Sequence, residues 1–234
     1  MYLYALLPLP HADLHLPEGI GTQVQLLTVG EIAAIVEPDV ALNDLEQDDR
    51  QLLRAIMAHD RVIRELFAQI TVLPFRFGTC FESSASLVAH LTVAQATYVA
   101  ALQQLDGKGE LTLKLTRVEP PEMEVSPDLK GKDYFLAKKQ QYQQQQSFQA
   151  QQTQEREQII AAIGQLTLEL SFQPNHTSTE SLYLLIARTD VEAVQRSLVH
   201  WSQHYTLWTL SLSEILPPYH FIDQFLSPKS AETR

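Results

Sequence analysis

The chain has 234 residues, 45% hydrophobic and 19% charged, with 17 basic and 28 acidic side chains and a formal net charge of −11. That length accommodates one large or two small domains with proper cores, and the composition excludes global disorder and collagen-like or coiled-coil chains. A single cysteine, no secretory pattern at the start and no uninterrupted run of about 18 apolar residues point to a cytosolic protein without a membrane partner.

The opening Tyr2 to Leu7 is β-prone and stops at Pro8 and Pro10; Thr22 to Val29 and Ile32 to Val36 are two further short apolar runs around Gly30. Three strands are expected there. Residues 1–49 carry nine acids and no lysine or arginine, an imbalance that reads as solubility rather than a docking surface. Asn43 with Glu46 marks a helix start, and Leu52, Leu53, Ile56, Ile63, Leu66, Phe67 and Ile70 recur at helical spacing, predicting an amphipathic helix over 44–70. Its four arginines, Arg50, Arg54, Arg61 and Arg64, alternate with Asp49, Asp60 and Glu65, so no basic stripe exists to release counterions from nucleic acid. Nucleic acid is excluded as the main partner.

Thr71 to Phe77 reads as an edge or bulged strand around Pro74, ended by Gly78. A second helix over 83–105 would bury Leu87, Leu91, Ala94, Tyr98, Leu102 and Leu105. After Gly107 and Gly109 the period changes to that of a half-buried strand, with Leu111, Leu113 and Leu115 alternating with polar residues. Asp133 to Gln165 then forms a long helix, although ten of the fifteen residues from Gln140 to Gln154 are glutamine; glutamine is a good helix former, and Tyr134, Phe135, Tyr142 and Phe148 are expected to face a sheet. Strands over 167–172 and 182–187, a helix from Asp190 to His204 and a strand over 205–213 complete a β-α-β-β-α-β order. That order belongs to the ferredoxin-like unit. The fold class is therefore α+β with two domains, an N-terminal unit over 1–107 and a C-terminal ferredoxin-like unit over 108–234 whose tail frays after Pro217 and Pro218.

Chemical constellations are sparse. His200 and His204 share the i, i+4 spacing of paired metal ligands, but Trp201 stands where a zinc protease carries its glutamate base, so they read as polar residues on a surface helix. His11 and His15 repeat the spacing among prolines that prevent a shared helical face. Cys80, with His59 and His90 nearby in sequence, reads as a small core residue rather than a nucleophile. No catalytic, cofactor or metal site is expected. Arg76, within Pro74-Phe75-Arg76-Phe77-Gly78, is expected to lock its strand to the preceding helix through Asp60 or Glu65; the alternative is an anion-binding arginine serving a small-anion sensor or enzyme.

The run His59-Asp60-Arg61-Val62-Ile63 leading into Val72-Leu73-Pro74-Phe75-Arg76-Phe77-Gly78-Thr79 resembles the signature of the gas vesicle protein F/L family. The opening Tyr2-Leu3-Tyr4, the stretch from Asp133 to Lys138 and the late Pro217-Pro218-Tyr219-His220-Phe221 fit it as well. One departure is that Ser213-Glu214-Ile215-Leu216 precedes the two prolines where the family commonly has Gly-Pro-Trp. The resemblance implies a non-enzymatic accessory or minor structural protein of gas vesicles, hollow buoyancy organelles in the cytoplasm of some prokaryotes. Its implied partners are the hydrophobic main shell protein, whose aggregation it would limit, and other accessory proteins. Pro217, Pro218, Tyr219 and Phe221 are candidate partner contacts.

Overall fold

The computed structural model describes residues 1–42, 48–121, 129–166, 169–173 and 179–226, and has an α+β architecture with two four-stranded sheets. The chain forms two compact units, Met1–Glu110 with Ile215–Arg234, and Leu111–Glu214. The tail thus belongs to the first unit rather than to the second, where the sequence order alone placed it.

In the first unit, β1 (Tyr2–Pro8), β2 (Gln25–Val29), β3 (Ile32–Glu37) and β4 (Leu73–Pro74) lie in the order β2-β3-β1-β4, with every neighbour antiparallel. The expected strand over 71–77 contracts to two residues. Pro74 lacks an N–H, so it is tolerated there because β4 is the sheet edge. Helix α1 (Asp49–Phe67) is capped by Asp48, whose carboxylate accepts from Arg50 N at 2.9 Å; the expected start at Asn43 and Glu46 lies outside the described residues. Its buried side is Ala55, His59, Val62, Ile63, Leu66 and Phe67, while Leu53 and Ile56, expected inside, are exposed. Helix α2 (Ser84–Leu105) starts at a reciprocal Ser83–Ser86 cap and buries Leu87, Leu91, Tyr98, Ala101, Leu102 and Leu105; Ala94 is only half-buried. By length and composition α2 could cross a membrane, but it packs on this unit's sheet through that face. A short tail helix over Ile222–Leu226 packs against α2 in the same unit.

Strand β5 (Lys108–Arg117) carries the chain into the second unit. There β6 (Glu169–Gln173), β7 (Thr179–Ala187) and β8 (Trp208–Leu212) complete the order β6-β7-β5-β8, accompanied by α3 (Lys132–Gly164) and α4 (Val191–His204). Register pairs Leu113 with Leu212 and Arg117 with Trp208 in antiparallel fashion.

Helix α3 departs from expectation. Its buried residues are Gln152, Ile159 and Ile163, all in the C-terminal half, whereas Tyr134, Phe135 and Tyr142 are exposed and Phe148 is half-buried. The glutamine run docks through one member: Gln152 Nε2 donates to Val118 O and Leu207 O, both at 3.0 Å, and Trp208 Nε1 donates to Gln152 O at 2.9 Å. One amide thereby ties the ends of two paired strands to the helix. Below it, buried Glu180 accepts from Arg156 at 2.6 Å, and Arg117 lies 5.6 Å from the Trp208 ring centre. Gln152→Ala removes a donor from two part-buried carbonyls, of which Leu207 O keeps the Val118 N–H at 3.1 Å, and is expected to cost about 1–3 kcal/mol in urea unfolding, against about 0.5 kcal/mol or less for Gln144→Ala. For the same reason Phe135→Ser, 74% exposed at the start, is expected to leave the unfolding midpoint unchanged.

Candidate functional site

The buried face of the first unit is more polar than its apolar sequence suggests. Tyr2 on β1 and His59 on α1 meet with Tyr2 Oη 2.8 Å from His59 Nδ1, and His59 Nε2 lies 3.0 Å from Phe75 O. A carbonyl only accepts, so Nε2 carries the proton and Nδ1 accepts from the Tyr2 hydroxyl. The Tyr2 oxygen in turn accepts from Gly78 N at 3.2 Å. The chain Gly78 N–H to Tyr2 to His59 to Phe75 carbonyl clasps the Pro74–Gly78 block from both sides. Gly78 has φ +88°, so a side chain there would be strained. Burial holds the His59 imidazole below its ordinary value, against opposing contributions from the Phe75 hydrogen bond and Asp60, and pushes the Tyr2 phenol up. The network is neutral, and Tyr4 and Phe77 complete its aromatic box.

A second buried centre lies across β1. Glu37, at the end of β3, is 1% exposed, and its carboxylate accepts from the Tyr4 hydroxyl at 2.5 Å and from Ile20 N, Gly21 N and Thr22 N at 2.8, 2.7 and 2.6 Å. Burial alone would raise its pKa, but these donors outweigh it and the group titrates below its ordinary value. Gly19 makes room for the carboxylate: a Cβ there would meet Glu37 Oε2 at 2.1 Å and Thr22 O at 2.7 Å.

The tail docks on this unit through the residues singled out from the sequence, in different pairings. Arg76 is exposed and ion-paired with Asp223 at 2.6 Å on α5 (Ile222–Leu226), not with Asp60 or Glu65 and not in an anion pocket. Asp60 accepts from the Tyr219 hydroxyl at 2.7 Å and from Arg64 at 2.6 Å, while Glu65 faces Arg61 at 3.9 Å. Buried Glu110 accepts from the His220 backbone N–H at 2.8 Å and from His220 Nδ1 at 2.7 Å. Pro217, Pro218 and Phe221 are consequently buried and Tyr219 half-buried, which removes them as an exposed contact surface; residues 217–226 do not show the fraying expected after Pro217, and the rest of the tail lies outside the described residues. Cys80, expected in the core, is exposed. His59 and His90 are engaged by Tyr2 and Tyr98 instead. Because the Arg76–Asp223 pair is solvated, Arg76→Ala is expected to cost no more than about 1 kcal/mol, within a few degrees of the parent on melting.

Sequence reasoning passed over Tyr2, Tyr4, Glu37 and His59 as a polar core. Two signals were present: His59 lies four residues from Ala55 and Ile63 on the helix, and Glu37 directly continues the apolar run of β3. Among the described residues no cluster of three or more histidine, cysteine or acidic side chains could hold a metal ion. What the site does, physically, is position backbone.

The profile described as gas vesicle synthesis protein GvpL/GvpF matches residues 1–223. The chain belongs to that family. Gas vesicle protein F of Streptomyces sp. (strain CB03234) is 31% identical over 140 residues, so the match spans 56% of this chain and 56% of that relative. The crystal structure of GvpF from Anabaena sp. PCC7120 superposes with a TM-score of 0.68 at 14% identity, over 100% of this chain and 98% of that one. GvpF from Microcystis aeruginosa gives 0.68 at 15%, over 94% and 98%. At these identities the likeness is one of fold. In this GvpL/GvpF chain the Pro74–Gly78 block is held by backbone hydrogen bonds to Tyr2 and His59, and its arginine reaches outward to the tail. GvpL/GvpF is a gas vesicle family, not an enzyme family.

Proposed function

We propose that this protein is a non-enzymatic accessory or minor structural protein of gas vesicle assembly in the cytoplasm, which binds the hydrophobic main shell protein and limits its aggregation, alongside other accessory proteins. The observation that carries this reading is the family match over residues 1–223. Exposed apolar side chains support a binding role: Leu53 and Met57 on α1, and Phe135, Leu136 and Tyr142 on α3, stand in solvent where an apolar partner could cover them. The edge strand β2 offers unpaired backbone groups to an incoming strand. Coexpression with the main shell protein is the test: the shell protein stays in the soluble fraction and copurifies, and near-molar salt weakens the complex little because the contact is apolar. Failure of both solubilisation and copurification with folded protein refutes the reading, and a steep loss of binding with salt favours a charge-driven adaptor instead.

We further read the second unit as a ferredoxin-like domain. Its β-α-β-β-α-β order and its strand order β6-β7-β5-β8 support this. A fragment over 111–214 is expected to give dispersed amide resonances, whereas one over 108–234 carries Phe221 and the two prolines without the surface that buries them. A molten 111–214 fragment would refute the division.

A further inference from the structure

His200 and His204 stand one turn apart near the C-terminal end of α4, both exposed. Their rings are parallel within 7°, with centres 6.4 Å apart. The opposite side of the helix is clamped by buried Val194 and Trp201, and Tyr205 follows it into the core, so the imidazole row is held outward on a rigid element. No described residue hydrogen-bonds to either ring; His204 only meets the Tyr205 ring edge-on, at 4.9 Å. One turn earlier on the same row, Arg196 is neutralised by Glu192 at 3.7 Å. The helix ends at His204, and its last carbonyls present the negative end of the helix dipole to a cation there.

We propose that His200 and His204 form a bidentate site for one divalent ion of the late first transition row (copper, nickel or zinc), with water in the remaining coordination positions. Two imidazole lone pairs suit these ions, whereas magnesium and calcium require oxygen ligands. With metal–nitrogen bonds of about 2.0 Å and the two nitrogens cis on one ion, the ring centres must come roughly 1–2 Å closer and turn so that both lone pairs converge, changes that rotation about χ1 and χ2 of two exposed side chains supplies. The same sequence spacing occurs at His11 and His15, but that pair lies in the irregular segment between β1 and β2, where His15 is tied through its backbone to Gln69 at 2.9 and 3.1 Å. Spacing is shared by the two pairs; a common helical face is not.

The experiment uses the full-length protein and copper(II) titrated against tryptophan fluorescence, with zinc(II) by calorimetry. Trp201 is adjacent in sequence to His200, and the chain has only two tryptophans, so copper held at this site quenches a defined signal. The expected result is one saturable equivalent per chain that disappears in both His200→Gln and His204→Gln and persists in the His11→Gln/His15→Gln double variant, with circular dichroism unchanged throughout. Absence of saturable binding in the parent, survival of the step in His200→Gln/His204→Gln, or its loss in the His11→Gln/His15→Gln control would overturn the proposal.

Discussion

Replacing His59 by leucine is expected to destabilise the first unit by about 3–5 kcal/mol and to lower its melting temperature by roughly 10 °C, followed by circular dichroism. The imidazole is 5% exposed and serves two groups at once; in the variant the Tyr2 hydroxyl proton loses its acceptor, although its oxygen keeps the Gly78 N–H, and the Phe75 carbonyl loses its imidazole donor. Leucine fills volume but offers neither a donor nor an acceptor. Adding Tyr2→Phe removes one of the two orphaned groups, so the double variant should recover about 1–3 kcal/mol relative to additivity. A His59→Leu protein that melts within about 2 °C of the parent contradicts the clasp. The titration has a definite sign. The imidazole is held below its ordinary value of 6.5, so the unfolded chain binds the proton more readily, and this contribution to stability is complete above pH 6.5 and declines as the pH falls below it. His59→Leu removes that part of the acid slope. Its effect should greatly exceed that of Arg76→Ala, although the arginine is the more conspicuous residue of the motif.

The second large effect is expected at Glu37. Glu37→Gln keeps the shape but replaces one carboxylate oxygen with an NH2 group that faces existing donors, and it removes the charge that strengthens four hydrogen bonds from Tyr4, Ile20, Gly21 and Thr22. A loss of about 3 kcal/mol or more is expected. Hydrogen exchange locates it: the amides of Ile20, Gly21 and Thr22 should exchange at least about tenfold faster while those of β3 remain protected. Because the folded carboxyl titrates below its ordinary 4.5, its contribution is present above pH 4.5 and is lost as the pH falls through the depressed value. The variant should therefore show a flatter stability profile in that acid range. Unchanged exchange at residues 20–22 would contradict the cradle. Gly19→Ala reaches the same centre sterically, since its Cβ would stand 2.1 Å from the carboxylate oxygen.

Elements were legible in the sequence wherever a local period or a turn residue dictated them. Strands β1 and β3, helix α2 from Ser84 to Leu105 and the β-α-β-β-α-β order after Gly109 all follow from alternation, three- and four-residue spacing and glycine punctuation, which neighbouring residues decide among themselves. The family resemblance was legible for a similar reason, because the Pro74–Gly78 block is contiguous. The facing of amphipathic surfaces and the choice of partners were decided by tertiary structure. Leu53, Ile56 and Phe135 share helical spacing with core residues yet stand in solvent, because packing rotates α1 toward Ala55, His59 and Ile63 and leaves the first half of α3 uncovered. Arg76 has two acids, Asp60 and Glu65, within reach of a sequence argument; it meets Asp223, 147 residues away, because the tail returns to the first unit. Long-range pairings between residues that are ordinary in composition, such as Tyr2 with His59, Tyr4 with Glu37 and Glu110 with His220, leave no periodic trace, since the fold satisfies them only after the strands and helices have assembled.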